Sequence, residues 1–171
     1  MKILGVIPSR MESKRLPGKP LLDINGKSMI QRVYESSINC KNLDDLIIAT
    51  PNDEIVSHVK EFNGNVLKTT DKPINGTERV YEAVEKINKK YDYIINIQGD
   101  EPFIKTEQIN DLIKICVKPN EICTLIKNET YSKELTQDSV MKVVKNINNE
   151  ALYFSRSCLL YTSDAADEVV R

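Results

Sequence analysis

The chain has 171 residues, 40% of them hydrophobic, which is enough for one domain with a core of its own. Its 24 basic and 25 acidic residues leave a formal net charge of -1 and are mixed along the chain, so no block reads as a nucleic-acid or membrane-surface arm. No apolar run is long enough to cross a bilayer, and the stretch opening at Met1 is too short for a secretory leader.

Strand and helix patterns alternate from the start. Lys2–Pro8 is an apolar run suited to a buried strand. Met29, Ile30, Val33 and Tyr34 fall at helical spacing within Ser28–Asn39. Leu43–Thr50 reads as the next strand and Asp53–Phe62 as a helix burying Ile55, Val56 and Val59. Asn65–Thr69 follows as a strand. The spacing then predicts a helix over Thr77–Lys89, capped by Thr77 and burying Val80, Tyr81, Val84 and Ile87. Tyr93–Ile97 is a further strand. Thr106–Val117 reads as a helix starting at a capping threonine, and Ile122–Lys127 and Val140–Lys145 read as strands. Such alternation predicts a parallel-rich sheet with helices on both faces. Ligands of these sheets bind beyond the carboxyl ends of the strands, so the loops after Ile7, Thr50, Thr69 and Ile97 are the places to look.

Three of those loops carry suitable chemistry. The first, Pro8–Pro20, gathers Arg10, Lys14, Arg15 and Lys19 around Gly18, a cationic cage fit for a polyphosphate. It lacks the glycine spacing of a Walker loop, and a solvated basic loop would have the same composition. The second, Gln98–Pro102, places Asp100 at the end of a buried strand. There a carboxylate could hold Mg²⁺ or simply cap a turn, with Glu101 the weaker candidate. The third, Asn75–Arg79, opens a helix at Gly76 and Thr77, where free backbone N–H groups could meet a ligand and Arg79 could reach it. His58, the only histidine, has no serine or acidic partner pattern in the sequence and reads as a structural residue. The four cysteines, Cys40, Cys116, Cys123 and Cys158, lack metal-like spacing and read as reduced thiols of a cytosolic protein.

The motifs Ile7–Arg10, Arg15–Leu21, Asp23–Lys27, Gly76–Arg79, Asn96–Pro102 and Ala151–Ser157, in that order, resemble the 3-deoxy-manno-octulosonate (Kdo) cytidylyltransferase family. The resemblance covers Met1–Ser157. It implies a three-layer, Rossmann-like fold of the nucleotide-diphospho-sugar transferase type, incomplete at its C-terminal part. It implies CTP and Kdo as substrates, Mg²⁺ as cofactor, and a cytoplasmic homodimer serving lipopolysaccharide biosynthesis. Arg10 and Lys19 would contact the CTP phosphates with Arg15 nearby, and Asp100 would hold the metal. Ser9 and Gln98 would line the substrate site, with Gly76, Thr77 and Arg79 towards the cytosine. Two positions depart from the family pattern. Ser13-Lys14 adds a charge before Arg15, and Pro73 and Asn75 stand where a histidine and a serine are usual. Transfer to 8-amino-Kdo or a sialic acid, or CTP binding by an inactive fragment, are the alternatives.

The string Cys158–Glu168 is what a transposase-based sequencing adapter would encode. A cytidylyltransferase domain over 1–157 and a non-native tail over 158–171 are therefore expected.

Overall fold

A computed structural model describes residues 1–12, 16–116, 122–127 and 137–157, and Arg15 and the expected tail lie outside them. The chain separates into a unit over Met1–Cys123 and a second over Thr124–Arg171.

The first unit is built on four parallel strands, β1 (Ile3–Pro8), β4 (Asp45–Thr50), β5 (Val66–Lys68) and β6 (Tyr93–Asn96), in the order β5-β4-β1-β6. A short antiparallel pair, β2 (Asp23–Ile24) and β3 (Lys27–Ser28), follows β1 and was not legible as strand. The helices are α1 (Met29–Ile38), α2 (Asp53–Glu61), α3 (Gly76–Lys86) and α4 (Thr106–Ile115). β1 is buried at every position because both of its faces are covered, and its side chains alternate between two cores. Ile3 and Ile7 join Ile30 and Val33 of α1, Ile55 and Val59 of α2, and Ile109 and Ile113 of α4. Leu4 and Val6 join Val80 and Ala83 of α3. Three layers result, as the alternation predicts.

The strand order matters for function. Successive strands move outward from β1 to β4 to β5, and the chain then crosses back to place β6 on the other side of β1. Register pairs Val6 with Ile47 on one side and with Asn96 on the other. The β1/β6 boundary is thus the topological switch point, where connections diverge and leave a crevice at the carboxyl ends.

Four local expectations need correction. Asn75, not Thr77, caps α3: its Oδ1 accepts the Glu78 N–H at 2.9 Å, and the Glu78 carboxylate takes the Ile74 N–H at 3.0 Å. Tyr81 is 66% exposed, because the stripe of Val80, Ala83, Val84 and Ile87 leaves position 81 about 100° to one side. Lys105, not Thr106, is the cap of α4; the Thr106 hydroxyl instead donates to the Ser36 carbonyl at 2.8 Å. Ile122–Lys127 forms no strand: Ile122 is fully exposed, Leu125 and Ile126 are each 44% exposed, and no described strand pairs with them.

The second unit contains an antiparallel hairpin, β7 (Lys142–Lys145) and β8 (Ala151–Ser155). Asn146 organises its turn, its Oδ1 accepting the N–H groups of Asn148 and Glu150 at 2.9 and 3.0 Å.

Candidate active site

The loop leaving β1 is anchored before it turns away. Ser9 N–H donates to the Ala49 carbonyl at 2.9 Å, prolonging the pairing with β4 by one residue. Asn52, at the start of α2, then holds the loop from both sides. Its Oδ1 accepts the Met11 N–H at 3.0 Å and its Nδ2 donates to Glu12 Oε1 at 3.0 Å. That hydrogen bond, assisted by the charges of Arg10 and Arg79, holds the Glu12 carboxyl below its usual range. The loop closes where Gly18 N–H donates to the Met11 carbonyl at 3.1 Å, with Gly18 at φ 69°, a conformation that favours glycine. A 3-10 turn over Lys19–Leu21 follows and aims Lys19 back across the opening.

On the far side of the switch point, β6 runs on into Ile97, Gln98, Gly99 and Asp100. A Cβ on Gly99 would lie 2.8 Å from the Pro8 carbonyl oxygen, so glycine is what lets the two strand ends approach. Asp100 Oδ2 receives the Lys19 ammonium at 2.7 Å, closing a bridge between the two loops. The N-terminus of α3 forms the third wall, with Gly76 packed beside Pro8.

These walls enclose a cleft of about 1220 Å³ at the carboxyl ends of the strands. Of the residues singled out from sequence, Ser9, Arg10, Lys19, Gly76, Arg79, Gln98, Asp100 and the weaker candidate Glu101 line it. Thr77 does not; it is exposed on the first turn of α3. Ser9 Oγ is buried and has no hydrogen-bond partner among the described residues, a polar atom turned inward without satisfaction. Arg79 is only 3% exposed, unlike a surface arginine, and its Nη1 donates to Thr69 Oγ1 at 2.5 Å and the Thr70 carbonyl at 3.0 Å. Burial, and then the like charge of Arg10, lower its pKa from the ordinary arginine value.

Pro8, Glu12, Asn75 and Gly99 also line the cleft and carried no individual functional signal in the sequence. Asn52, which sets the loop, lies in a turn with an unremarkable composition, and only its long-range hydrogen bonds reveal the role. His58 does have partners, Ser28 Oγ at 2.7 Å from Nε2 and Glu61 Oε2 at 3.1 Å from Nδ1. Ser28 is already the cap of α1, accepting the Gln31 N–H, and none of the three lines the cleft, so the arrangement ties α2 to α1.

The cytidylyltransferase family pattern matches residues 4–170, nearly the whole chain. This chain belongs to the cytidylyltransferase family. Among curated members, a 3-deoxy-manno-octulosonate cytidylyltransferase of Cytophaga hutchinsonii is 43% identical over 168 residues, covering 98% of this chain and 67% of the relative. One of Parabacteroides distasonis is 48% identical, covering 94% of this chain and 65% of the relative. The chain therefore spans about two thirds of the length of these curated relatives. Among solved structures, a CMP:2-keto-3-deoxy-manno-octonic acid synthetase complexed with CTP superposes with a TM-score of 0.84 at 35% identity, covering 97% of this chain and 68% of that one. A cytidylyltransferase from Leptospira borgpetersenii, at 23% identity and a TM-score of 0.58, shares the fold. As a cytidylyltransferase-family chain, it combines a parallel three-layer sheet with a cationic cleft at the switch point. No helix among the described residues is long and apolar enough to cross a membrane.

Proposed function

We propose that this chain is the nucleotide-binding part of an enzyme that transfers CMP from CTP to Kdo, giving CMP-Kdo and pyrophosphate. The observation that carries the reading is the convergence of Arg10, Lys19 and Asp100 on one cleft at the β1/β6 switch point. The similarity to curated 3-deoxy-manno-octulosonate cytidylyltransferases supports the choice of sugar.

The reaction is a displacement at phosphorus. The anomeric hydroxyl of the sugar forms a bond to the α-phosphorus of CTP, the bond to the bridging oxygen breaks, pyrophosphate leaves, and the hydroxyl proton goes to solvent. Such a reaction needs positioning and neutralised charge more than covalent assistance. Arg10 and Lys19 supply fixed positive charge to the triphosphate, Arg10 as a fork and Lys19 as a point charge. Ser9, with its unsatisfied hydroxyl, and the Gly76 end of α3 offer polar groups to the nucleoside. Gln98 and Arg79 complete the walls, and Arg15 belongs to the same basic loop.

Asp100 would hold Mg²⁺. The residues fit that role in a limited way. The Asp100 carboxylate already receives a cation, the Lys19 ammonium, at 2.7 Å. No cluster of three or more metal-ligating side chains occurs among the described residues. One carboxylate, with phosphate oxygens and water supplying the remaining positions, is how Mg²⁺ is commonly held beside a nucleotide. The metal would supply charge neutralisation on the phosphate oxygens.

The complete protein, on this reading, acts as a cytoplasmic homodimer in lipopolysaccharide biosynthesis. Incubating the full-length protein with CTP, Mg²⁺ and Kdo, 8-amino-Kdo or a sialic acid in parallel, and detecting the CMP-sugar, tests the assignment. CMP-Kdo as the main product supports it; exclusive use of another acceptor, or no product with any, contradicts it.

A further inference from the structure

Arg79 is the most deeply buried charged group of the cleft wall, and none of the ion pairs among the described residues includes it. A guanidinium in that position is costly to bury unless its donors are used. One of its nitrogens is committed to the chain. Nη1 holds both the Thr69 hydroxyl and the Thr70 carbonyl. Thr69 is itself 4% exposed and donates its N–H to the Thr50 carbonyl at 2.8 Å, so the guanidinium grips a point fixed to the end of β4. Only 3% of the Arg79 surface is exposed, although the residue borders the cleft.

The remainder of the 69–75 connection is fastened to the same helix. Glu82 accepts the Thr70 N–H at 2.7 Å and its hydroxyl at 2.9 Å. Glu78 accepts the Ile74 N–H, and Asn75 caps the helix start. The Arg79 N–H closes on the Asn75 carbonyl at 3.3 Å. Asn75 and Gly76, the two residues of this segment in the cleft wall, thus follow a connection held to α3 by several hydrogen bonds, of which those of Arg79 are the buried ones.

Resting on the nucleotide-binding reading above, we propose that Arg79 is a positioning residue. Through Thr69 and Thr70 it fixes the β5–α3 connection, and with it the Asn75–Gly76 wall against which the nucleotide lies. Thr69 does not line the cleft, which separates this role from direct contact.

The test uses the 171-residue chain, its Arg79→Lys and Thr69→Val variants and the double variant. CTP affinity is read by calorimetry with Mg²⁺, and amide hydrogen exchange is read over residues 69–78. Each single variant removes hydrogen bonding to a charged group, so each is expected to weaken CTP binding about tenfold. The double variant should be little worse than either single one, because both cut the same clamp. Exchange should rise at Thr70, Ile74 and Glu78 and stay unchanged in β1. Unaltered CTP affinity in Thr69→Val beside a loss in Arg79→Lys would overturn the proposal in favour of direct contact. Faster exchange with unaltered CTP affinity in both would reduce the clamp to a purely structural one and overturn it too. Absence of CTP binding by the unsubstituted chain would instead sink the nucleotide reading, and the positioning role with it.

Discussion

Lys19 and Asp100 hold each other across the mouth of the cleft, and on the proposed function each would be wanted elsewhere when a metal nucleotide binds. The pair is partly exposed, 30% and 51%, so it resembles a surface ion pair worth about 0–1 kcal/mol. Lys19→Met should therefore raise the affinity of the nucleotide-free chain for Mn²⁺ by no more than about fivefold, as read by electron paramagnetic resonance, while weakening CTP binding. Asp100→Asn in the full-length protein should cut CMP-sugar formation at least about 100-fold, the scale on which a single electrostatic contributor acts. An unchanged rate would remove Asp100 from the metal role. At this scale the sequence was informative for charged groups at strand ends, because Arg10 and Asp100 follow the carboxyl ends of parallel strands, where the crevice of such sheets opens. It was silent on Asn52 and Thr69, whose roles exist only through partners 41 and 10 residues away.

Elements were legible wherever hydrophobic period and length agreed. β1 and β4 read as strands because their apolar runs are covered on both faces, and α1, α2 and α4 read as helices with boundaries displaced by a residue or two. α3 was read with the wrong cap, since Thr77 and Asn75 are both competent caps and only the Asn75 hydrogen bond to Glu78 decides between them. Asn75→Ala should accordingly cost about 1 kcal/mol in urea unfolding, whereas Thr77→Ala should stay within about 0.5 kcal/mol. The reverse order would contradict the assignment. At the amino end of β4, Asp45 receives Lys89 and Tyr91 from the connection into β6. The hydrogen bond from Lys89, and then that from Tyr91, hold its carboxyl below the usual range. A depressed carboxyl contributes stability above its unfolded pKa of about 3.9 and loses it as pH falls through the lower folded value. The stability advantage of the unsubstituted chain over Asp45→Asn should hold at neutral pH and shrink below about pH 4, as followed by thermal unfolding.

On the scale of the whole molecule, function follows from strand order. The sequence made a parallel α/β sheet legible through alternation, but not the order β5-β4-β1-β6, since the side of β1 on which β6 lies depends on a crossover and not on any local pattern. That order makes the loops after Pro8 and Asn96 neighbours and turns two separate charged motifs into one cleft. The close approach is sensitive at Gly99: a methyl group there would meet the Pro8 backbone, so Gly99→Ala should lower both thermal stability and CTP affinity. The Ile122–Lys127 segment shows the opposite limit, an apolar run with strand composition that has no described partner strand.

The most direct measurement is a titration of the isotope-labelled chain with CTP and Mg²⁺, followed by amide chemical shifts. The account predicts saturable changes concentrated at Ser9, Arg10, Lys19, Gly76, Gly99 and Asp100, and their loss in an Arg10→Ala/Lys19→Ala double variant that keeps the unperturbed spectrum elsewhere. Saturable changes centred elsewhere, such as the β7–β8 hairpin, or no saturable change at all, would contradict it.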